Sequence, residues 1–457
     1  MGRAPLIEQR RRKQRSCLLS VPSDPKSRKY VPGHARFEDR LCSFTWWDIW
    51  TWGPGTGRSS HHMEAHLSHE NKRLYAFVCV SFQRGFLAAL LSRCEGALSS
   101  FDVLSSLKRR RWGSSAQLVR AGGMEKSRRS RNIWNAALAV VVAIPALIFH
   151  YAFLYHCPGE TQQEGSSTLA LWSGVCEWGR EHPLGLVNVI FFLNVDVLFW
   201  IISLVQGSTW LIDPYWTIIP VMIGYFYGTH PNASSDIWRS RAVMSLLWAW
   251  SIRLTNSYFR RENWQWGERE DWRFSQLRTQ HPRHWWWMSF FAAYVSQQVF
   301  LVGICLPLCA VYSNQTPWNT WDTVAALLCG AGIVIAYFAD TQLYVFMSTN
   351  QRLRDLGAPP VPVLQEGVWK YSRHPNYVGE QLWWWGLALF AWNLQQGWMV
   401  AGAAVNTACL AYVTVLVERK MLEKPSRAAA YRRYQATTSV WIPWIIFPSG
   451  AAGKKIQ

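Results

Sequence analysis

Residues 133–155 read IWNAALAVVVAIPALIFHYAFLY, a run with no charged side chain. About 20 apolar residues in a row suffice to cross the hydrocarbon core of a bilayer as a helix. Just ahead of the run stand Met124 and the basic residues Lys126, Arg128, Arg129 and Arg131, a pattern typical of the start of a membrane protein. Working outward, comparable runs fall at about 185–206, 210–228, 241–259, 286–311, 321–347, 380–396 and 398–417. The last two are short and joined by Gln395-Gln396-Gly397, which leaves a hairpin or re-entrant pair open. Within lipid a backbone must satisfy its own hydrogen bonds, which leaves helices or closed barrels. Runs of this length choose helices. The expected fold class is therefore all-α: a polytopic membrane helical bundle with about seven or eight transmembrane helices.

Composition agrees. The chain has 457 residues, 30 of them tryptophan, and its 47 Lys+Arg against 28 Asp+Glu give a net charge of +19. A basic balance points to nucleic acid or to a membrane surface. The tryptophans flank apolar runs, as interfacial aromatic belts do, which argues against nucleic acid. The cluster Trp285-Trp286-Trp287 reads as such an anchor, and Trp383-Trp384-Trp385 as lipid-facing packing or cavity lining.

Positive charge also assigns the sides. The segment 124–132, the loops 260–285 and 348–379 and the tail from Glu418 together hold 22 Lys+Arg, whereas the opposite loops hold Arg180 and Arg239. Both ends of the bundle are thus expected in the cytosol. The sequons at Asn232 and Asn314 fall on the opposite side, and the tail Lys454-Lys455-Ile456-Gln457 matches a dilysine retrieval signal. An endoplasmic-reticulum location follows as the expectation. Cys157 and Cys176 share the first lumenal loop, where a disulfide can form. The ten cysteines show no paired spacing for a metal, and no metal site is expected.

Residues 1–123 carry 21 Lys+Arg and 9 Asp+Glu, with only one short apolar patch at 75–91. Such a composition buries too little surface to offset chain entropy. It is expected to be a disordered or spurious basic extension, with the folded domain over 124–457.

Polar groups inside the runs are functional candidates by default, because lipid penalises them. They are Asp196, Asp213, Arg253, Asp340 and Glu380, with Gln297, Gln298 and Gln342 in support; Asn194 and Gln298 equally suit helix-to-helix hydrogen bonds. Asp213-Pro214 suggests a broken helix, and an acid kept protonated in an apolar pocket can donate a hydrogen bond. The richest stretch is 367–380, GVWKYSRHPNYVGE. Pro375 suits a first helical turn, so free N–H groups there, with Lys370, Arg373 and His374 ahead of them, offer a seat for a pyrophosphate. Asn376 and Glu380, four apart, share a face and can read a carboxamide, ribose or adenine edge.

Arg373-His374-Pro375-Asn376-Tyr377-Val378-Gly379-Glu380, with Glu418 and the tail Tyr431-Arg432-Arg433-Tyr434…Trp441-Ile442-Pro443-Trp444, resembles the steroid 5-alpha-reductase-like family, and within it the DUF1295 branch. Trp250-Ser251-Ile252-Arg253, Ala339-Asp340-Thr341-Gln342 and Asp213-Pro214 also fit that branch. The resemblance covers about 200–457. It implies a reductase whose NADPH lies in a cavity open to the cytosol and whose hydrophobic substrate comes from the bilayer. Carried onto this chain, it puts Asn376 and Glu380 against the cofactor, Asp340 at its adenosine or ribose end, and Tyr434 with Tyr431 and Arg432 over the site. Arg253 and Arg261, toward the cytosolic end of their span, suit its phosphates, and Gln342, Lys370, Tyr371, Arg373, His374 and Tyr377 complete the expected cofactor set. Asp213 falls where the reductases place the acid that activates the substrate carbonyl. The pattern departs at Trp250, where those reductases have a tyrosine. Tyr258 or another donor then replaces that phenol, or the substrate differs.

Two other activities share these motifs. Isoprenylcysteine carboxyl methyltransferases bind S-adenosylmethionine with a similar Arg-His-Pro string, although they lack the Asn…Glu pair. A lipid-binding protein without catalysis would keep the fold and tolerate Trp250. Membrane lipids and a hydrophobic small molecule are the expected partners; no nucleic acid is, and the sequence points to no protein partner.

Overall fold

A computed structural model describes residues 115–157 and 167–442, with side chains from 127 to 157 and from 171 onward. Residues 1–114, and the dilysine tail, lie outside the described residues. Helix α1 (Ser115–Val141) begins ahead of the boundary expected at Met124. It gives way to α2 (Ile144–His156), with Pro145 in the first turn of α2. A proline there has no N–H for the preceding turn, so the rod breaks. Cys157, which ends α2, is disulfide-bonded to Cys176 on α3 (Ser167–Glu181), with Cα atoms 5.3 Å apart, as the shared loop led one to expect.

The next rod is α4 (Pro183–Phe191), a π-helical stretch Phe192–Phe199, and α5 (Trp200–Gln206), ended by Gly207 in the left-handed conformation. Two short helices follow, α6 (Ile212–Trp216) and α7 (Ile219–Thr229). The long α8 (Ile237–Arg261) starts at Asp236, whose side chain accepts from the Arg239 N–H. Helix α9 (Trp272–Gln280) is capped in the same manner by Asp271. Then come α10 (Trp285–Ser289), a second π-helical stretch Phe290–Val295 and α11 (Ser296–Tyr312). Helix α12 (Thr320–Asp355) opens on a full capping box between Asn319 and Asp322. The last helices are α13 (Pro375–Asn393), α14 (Ala401–Glu423) and α15 (Pro425–Thr437).

The chain is thus an all-α polytopic membrane bundle, with no strand among the described residues. Five stretches are long and apolar enough to cross a membrane: Ser127–His156, Pro183–Gln206, Trp285–Tyr312, Thr320–Asp355 and Gly397–Glu423. The run expected at 210–228 is broken, as Asp213-Pro214 suggested, with the turn at Thr217–Ile218. Helix α8 carries Arg239, Arg241 and Arg253 within its length, which dilutes its apolarity. The pair expected at 380–396 and 398–417 forms two complete helices, reversing at 394–400 with Gln395 at φ 62°. The basic loops and the disulfide fall at opposite ends of the bundle, called below the basic end and the disulfide end.

Two contacts set how the helices stand. At the disulfide end Arg239, counted above among loop charges, is fully buried: Nε and Nη2 each donate to Asp322 at 2.8 Å, and Nη1 donates to the Thr316 carbonyl at 2.8 Å. This bidentate pair joins the start of α8 to the start of α12. Nearer the basic end, α12 and α13 touch backbone to backbone. A Cβ on Gly379 would lie 2.6 Å from the Ala336 N and the Gly332 O, and one on Gly332 would meet the Gly379 O at 2.6 Å. Small residues that let membrane helices approach in this way are their usual means of packing.

Candidate active site

The close approach of α12 to α13 decides what happens one turn further on. Asp340 on α12 and Glu380 on α13 come near enough for one arginine from α8 to bridge them. Arg253 Nη1 donates to Asp340 Oδ2 at 3.1 Å, and Nη2 donates to Glu380 Oε1. The second Glu380 oxygen accepts the Trp250 indole N–H at 3.0 Å. Trp250 is fully buried, stacked on Trp383 (centroids 5.8 Å apart, planes at 10°) and edge-on to Trp384. The position that departs from the reductase pattern thus holds the carboxylate that the pattern assigns to the cofactor.

Two carboxylates face one guanidinium, and the Arg253 Nε is itself left without an acceptor. Asn376, one turn before Glu380 on α13, is buried and its Oδ1 has no donor. Buried polar atoms are ordinarily paired. An unfilled acceptor beside a net-negative pair calls for N–H or O–H donors from elsewhere, as carboxamides, amino groups and ribose hydroxyls supply. Arg260 stands against the same seam: its guanidinium is 3.4 Å from the hydroxyl of Thr341, next to Asp340, and lies over the Tyr344 ring. Sequence reasoning named Arg261 and passed over Arg260. Three residues separate it from Ser257 and seven from Arg253, so helical spacing carries the signal.

The first half of the motif does something different. Arg373 Nε donates to Glu418 at 2.7 Å, and its Nη1 donates to the carbonyls of Gln435 and Thr438 at 3.1 and 2.6 Å. His374 Nε2 is 3.1 Å from Glu418, and Gln435 donates to the other Glu418 oxygen at 2.8 Å. Tyr434 donates its hydroxyl to the Trp369 carbonyl. Arg373 N donates to Ser439 O at 2.9 Å. These bonds tie the loop before α13 to α14 and α15. Burial pushes the His374 pKa below its ordinary value, with the bonded Glu418 opposing that shift. Tyr431 and Tyr434 are buried here, whereas Lys370, Tyr371 and Arg432 are exposed. Gln342 accepts the Val368 N–H at 3.0 Å and so supports the loop. Tyr377 packs with Phe300, Cys409 and Leu410.

Asp213 and Tyr258 are brought together on the basic side of the same helix. Thr217 and Thr255 share a hydrogen bond of 2.6 Å, which sets α6 beside α8 and leaves Asp213 and Tyr258 each about one turn toward the basic end. Tyr258 is buried, and Asp213 Oδ1 has no hydrogen bond. Around them lies a folded loop, part of the basic loop 260–285. Glu262 pairs with Arg269, Asp271 with Arg273, and Glu270 with Arg278, while Asn263, Trp264 and Gly267 take positive φ. Trp264 and Trp266 pack on Phe259. The Asp271 cap and Gly267 were the available signals for order.

The family known as "Protein of unknown function (DUF1295)" matches residues 199–438. The chain belongs to the DUF1295 family. The matched span begins at the end of the first π-helical stretch, at Phe199, and takes in both the Arg253 cluster and the Arg373 latch. A Schizosaccharomyces pombe protein described as "Uncharacterized protein C594.04c" is 26% identical over 290 residues, 57% of this chain and 80% of that one. No solved structure matches.

Proposed function

We propose that this DUF1295 protein is a membrane-embedded, NADPH-dependent reductase that adds hydride to an activated C=C bond of a hydrophobic, lipid-like substrate. The observation that carries this reading is the pairing of the Arg253–Asp340–Glu380 cluster with the unfilled Asn376 oxygen on α13. That donor-seeking surface fits the amide and hydroxyl groups of a dinucleotide. Asn376, Glu380 and Asp340 would hold those groups, with Arg260 and Arg261 on the phosphates. When bound, the nicotinamide supplies the hydride.

The remaining work falls to the chain. As hydride reaches the β-carbon, negative charge grows on the conjugated oxygen. Asp213 in its acid form would donate a hydrogen bond to that oxygen and then its proton, with Tyr258 as the neighbouring donor. Fixed donors of this kind act most strongly where water is excluded. The charge asymmetry of the loops, with the disulfide at the opposite end, supports an endoplasmic-reticulum protein with the site open to the cytosol.

Thermal unfolding of the purified full-length protein with NADPH, NADH and S-adenosylmethionine side by side tests the reading. A ligand at 100 times its dissociation constant stabilises by about 2.7 kcal/mol. A shift with NADPH that Asn376→Ala abolishes is the expected result. A shift with S-adenosylmethionine alone would replace the reductase by the methyltransferase. NADPH binding with no turnover of any enone would favour the lipid-binding alternative, in which the Trp250 contact to Glu380 holds the site closed.

A further inference from the structure

The two π-helical stretches, Phe192–Phe199 and Phe290–Val295, face one another. Gln298 donates to the carbonyl and side-chain oxygens of Asn188 at 3.0 and 3.1 Å, and the Trp200 indole N–H donates to the Trp286 carbonyl at 2.9 Å. Both rungs belong to one antiparallel register, which puts residue 196 level with 290 and residue 192 level with 294. Ring contacts of Phe290 with Phe192 and with Trp200 agree. Asp196 therefore lies between the rungs. It is fully buried, and neither carboxyl oxygen has a hydrogen bond. Asn194, two residues earlier and on the opposite face, bonds the Val142 carbonyl of the first rod at 2.7 Å, so Asp196 turns away from that rod.

One turn toward the basic end, the same two stretches frame a notch lined by Trp200, Trp286, Trp287, Phe290 and Phe291, with a volume of about 140 Å³. Trp286, Trp287 and Phe291 are exposed on the flank that meets lipid. Sites that enclose a whole small molecule start at roughly 300 Å³. This one takes part of a longer molecule. A stranded acid, a wholly aromatic notch and paired π-helical turns, which concentrate at functional sites, occupy one place in the membrane.

We propose that these turns form a second, intramembrane site for the hydroxyl end of a long-chain lipid alcohol. The hydroxyl donates to Asp196, filling carboxyl oxygens that otherwise have no partner. The adjoining methylenes leave through the aromatic notch into the bilayer. A lipid anion is disfavoured, because the acid would repel it and no cation among the described residues pairs with Asp196. The site does not depend on the reductase reading.

The test uses the full-length protein in phosphatidylcholine nanodiscs, without NADPH, and a photoreactive hexadecanol bearing a mid-chain diazirine. Saturable labelling should map to residues 192–200 or 286–295. Unlabelled hexadecanol should compete, and its methyl ether, which has no hydroxyl to donate, should not. Asp196→Leu should cut saturable labelling about tenfold, the loss expected for a hydrogen bond to a charged or acidic group. Trp286→Ala, at an exposed position, should also reduce it. Equal competition by the ether, undiminished labelling of Asp196→Leu, or label elsewhere would overturn the proposal. So would labelling by a photoreactive cholesterol and not by the alcohol. If Asp196→Leu does not fold, the ether arm on the wild-type protein decides. NADPH binding measured separately on the same preparations keeps this outcome distinct from that of the reductase reading.

Discussion

The string RHPNYVGE divides between two clusters that treat charge in opposite ways. Around Arg373 every strong donor has an acceptor: one guanidinium, one imidazole and one amide converge on Glu418, and backbone carbonyls take the rest. Around Arg253 the count is reversed, with two carboxylates on one guanidinium and an amide oxygen left over. The first is closed and holds the carboxy-terminal helices in place. The second is incomplete within the chain, which is what a binding surface requires. Four residues of one helix start, 373 to 376, mark the boundary between them.

That contrast breaks most directly at Arg373. Arg373→Ala leaves two carbonyls without a donor and Glu418 without its guanidinium, facing only His374 and Gln435, so the thermal unfolding midpoint in detergent should fall by the equivalent of about 3–5 kcal/mol. Lysine cannot reproduce the fork, and Arg373→Lys should recover only part of the loss. A small effect from either would show that the latch is not closed as described.

Gly379→Ala comes next. Its Cβ would press on the backbone of Gly332 and Ala336, atoms that cannot move alone. Overpacking of this kind costs about 1–3 kcal/mol. It should also separate Asp340 from Glu380 and weaken NADPH binding, whereas Gly330→Ala, which meets nothing, should do neither.

Trp250→Phe keeps an aromatic ring for the stack on Trp383 and removes one hydrogen bond to a carboxylate, an interaction worth about 1.5–3 kcal/mol. Unfolding should register that loss, and Glu380 should become freer for ligand, so NADPH affinity should rise or hold. A collapse of NADPH affinity would mean that the indole positions Glu380 and does not compete for it.

The smallest effect concerns pH. His374 is held neutral by burial, with its pKa below the ordinary histidine value of 6.5. The unfolded chain takes up a proton first as pH falls, so this residue's contribution is full above about pH 6.5 and is lost as pH falls toward the folded value. The wild type should lose stability between pH 7 and pH 5, and His374→Asn should flatten that dependence. An unchanged slope would place the titration elsewhere.

The membrane bundle was legible because apolar runs declare their length directly, and Cys157 and Cys176 because they share one short loop. Asn376 and Glu380 were legible because one helical turn separates them. The partnership of Trp250 with Glu380 was not: it joins residues 130 positions apart through a close helix contact that depends on Gly332 and Gly379. The order of the loop 262–271 was not legible, because alternating charges look the same whether solvated or paired. Its ion pairs are decided by positive-φ turns at Asn263, Trp264 and Gly267 that composition does not reveal. The π-helical turns were hidden too, since a widened backbone leaves no mark in an apolar run.

Helix α12 is 36 residues long, about 54 Å of rise, against roughly 30 Å of hydrocarbon. Its first turn is fixed at the disulfide end by Asn319 and Arg239. Measured from there, Asp340 stands about 30 Å along the rod, near the basic end of the apolar run 321–347, and the polar last turns with Arg352, Arg354 and Asp355 extend beyond that run. The helix is a depth gauge. It sets the Arg253 cluster toward the basic end of the apolar run, where, on the proposed reading, a soluble nucleotide would arrive from one side and a lipid from the other without either crossing the other's solvent.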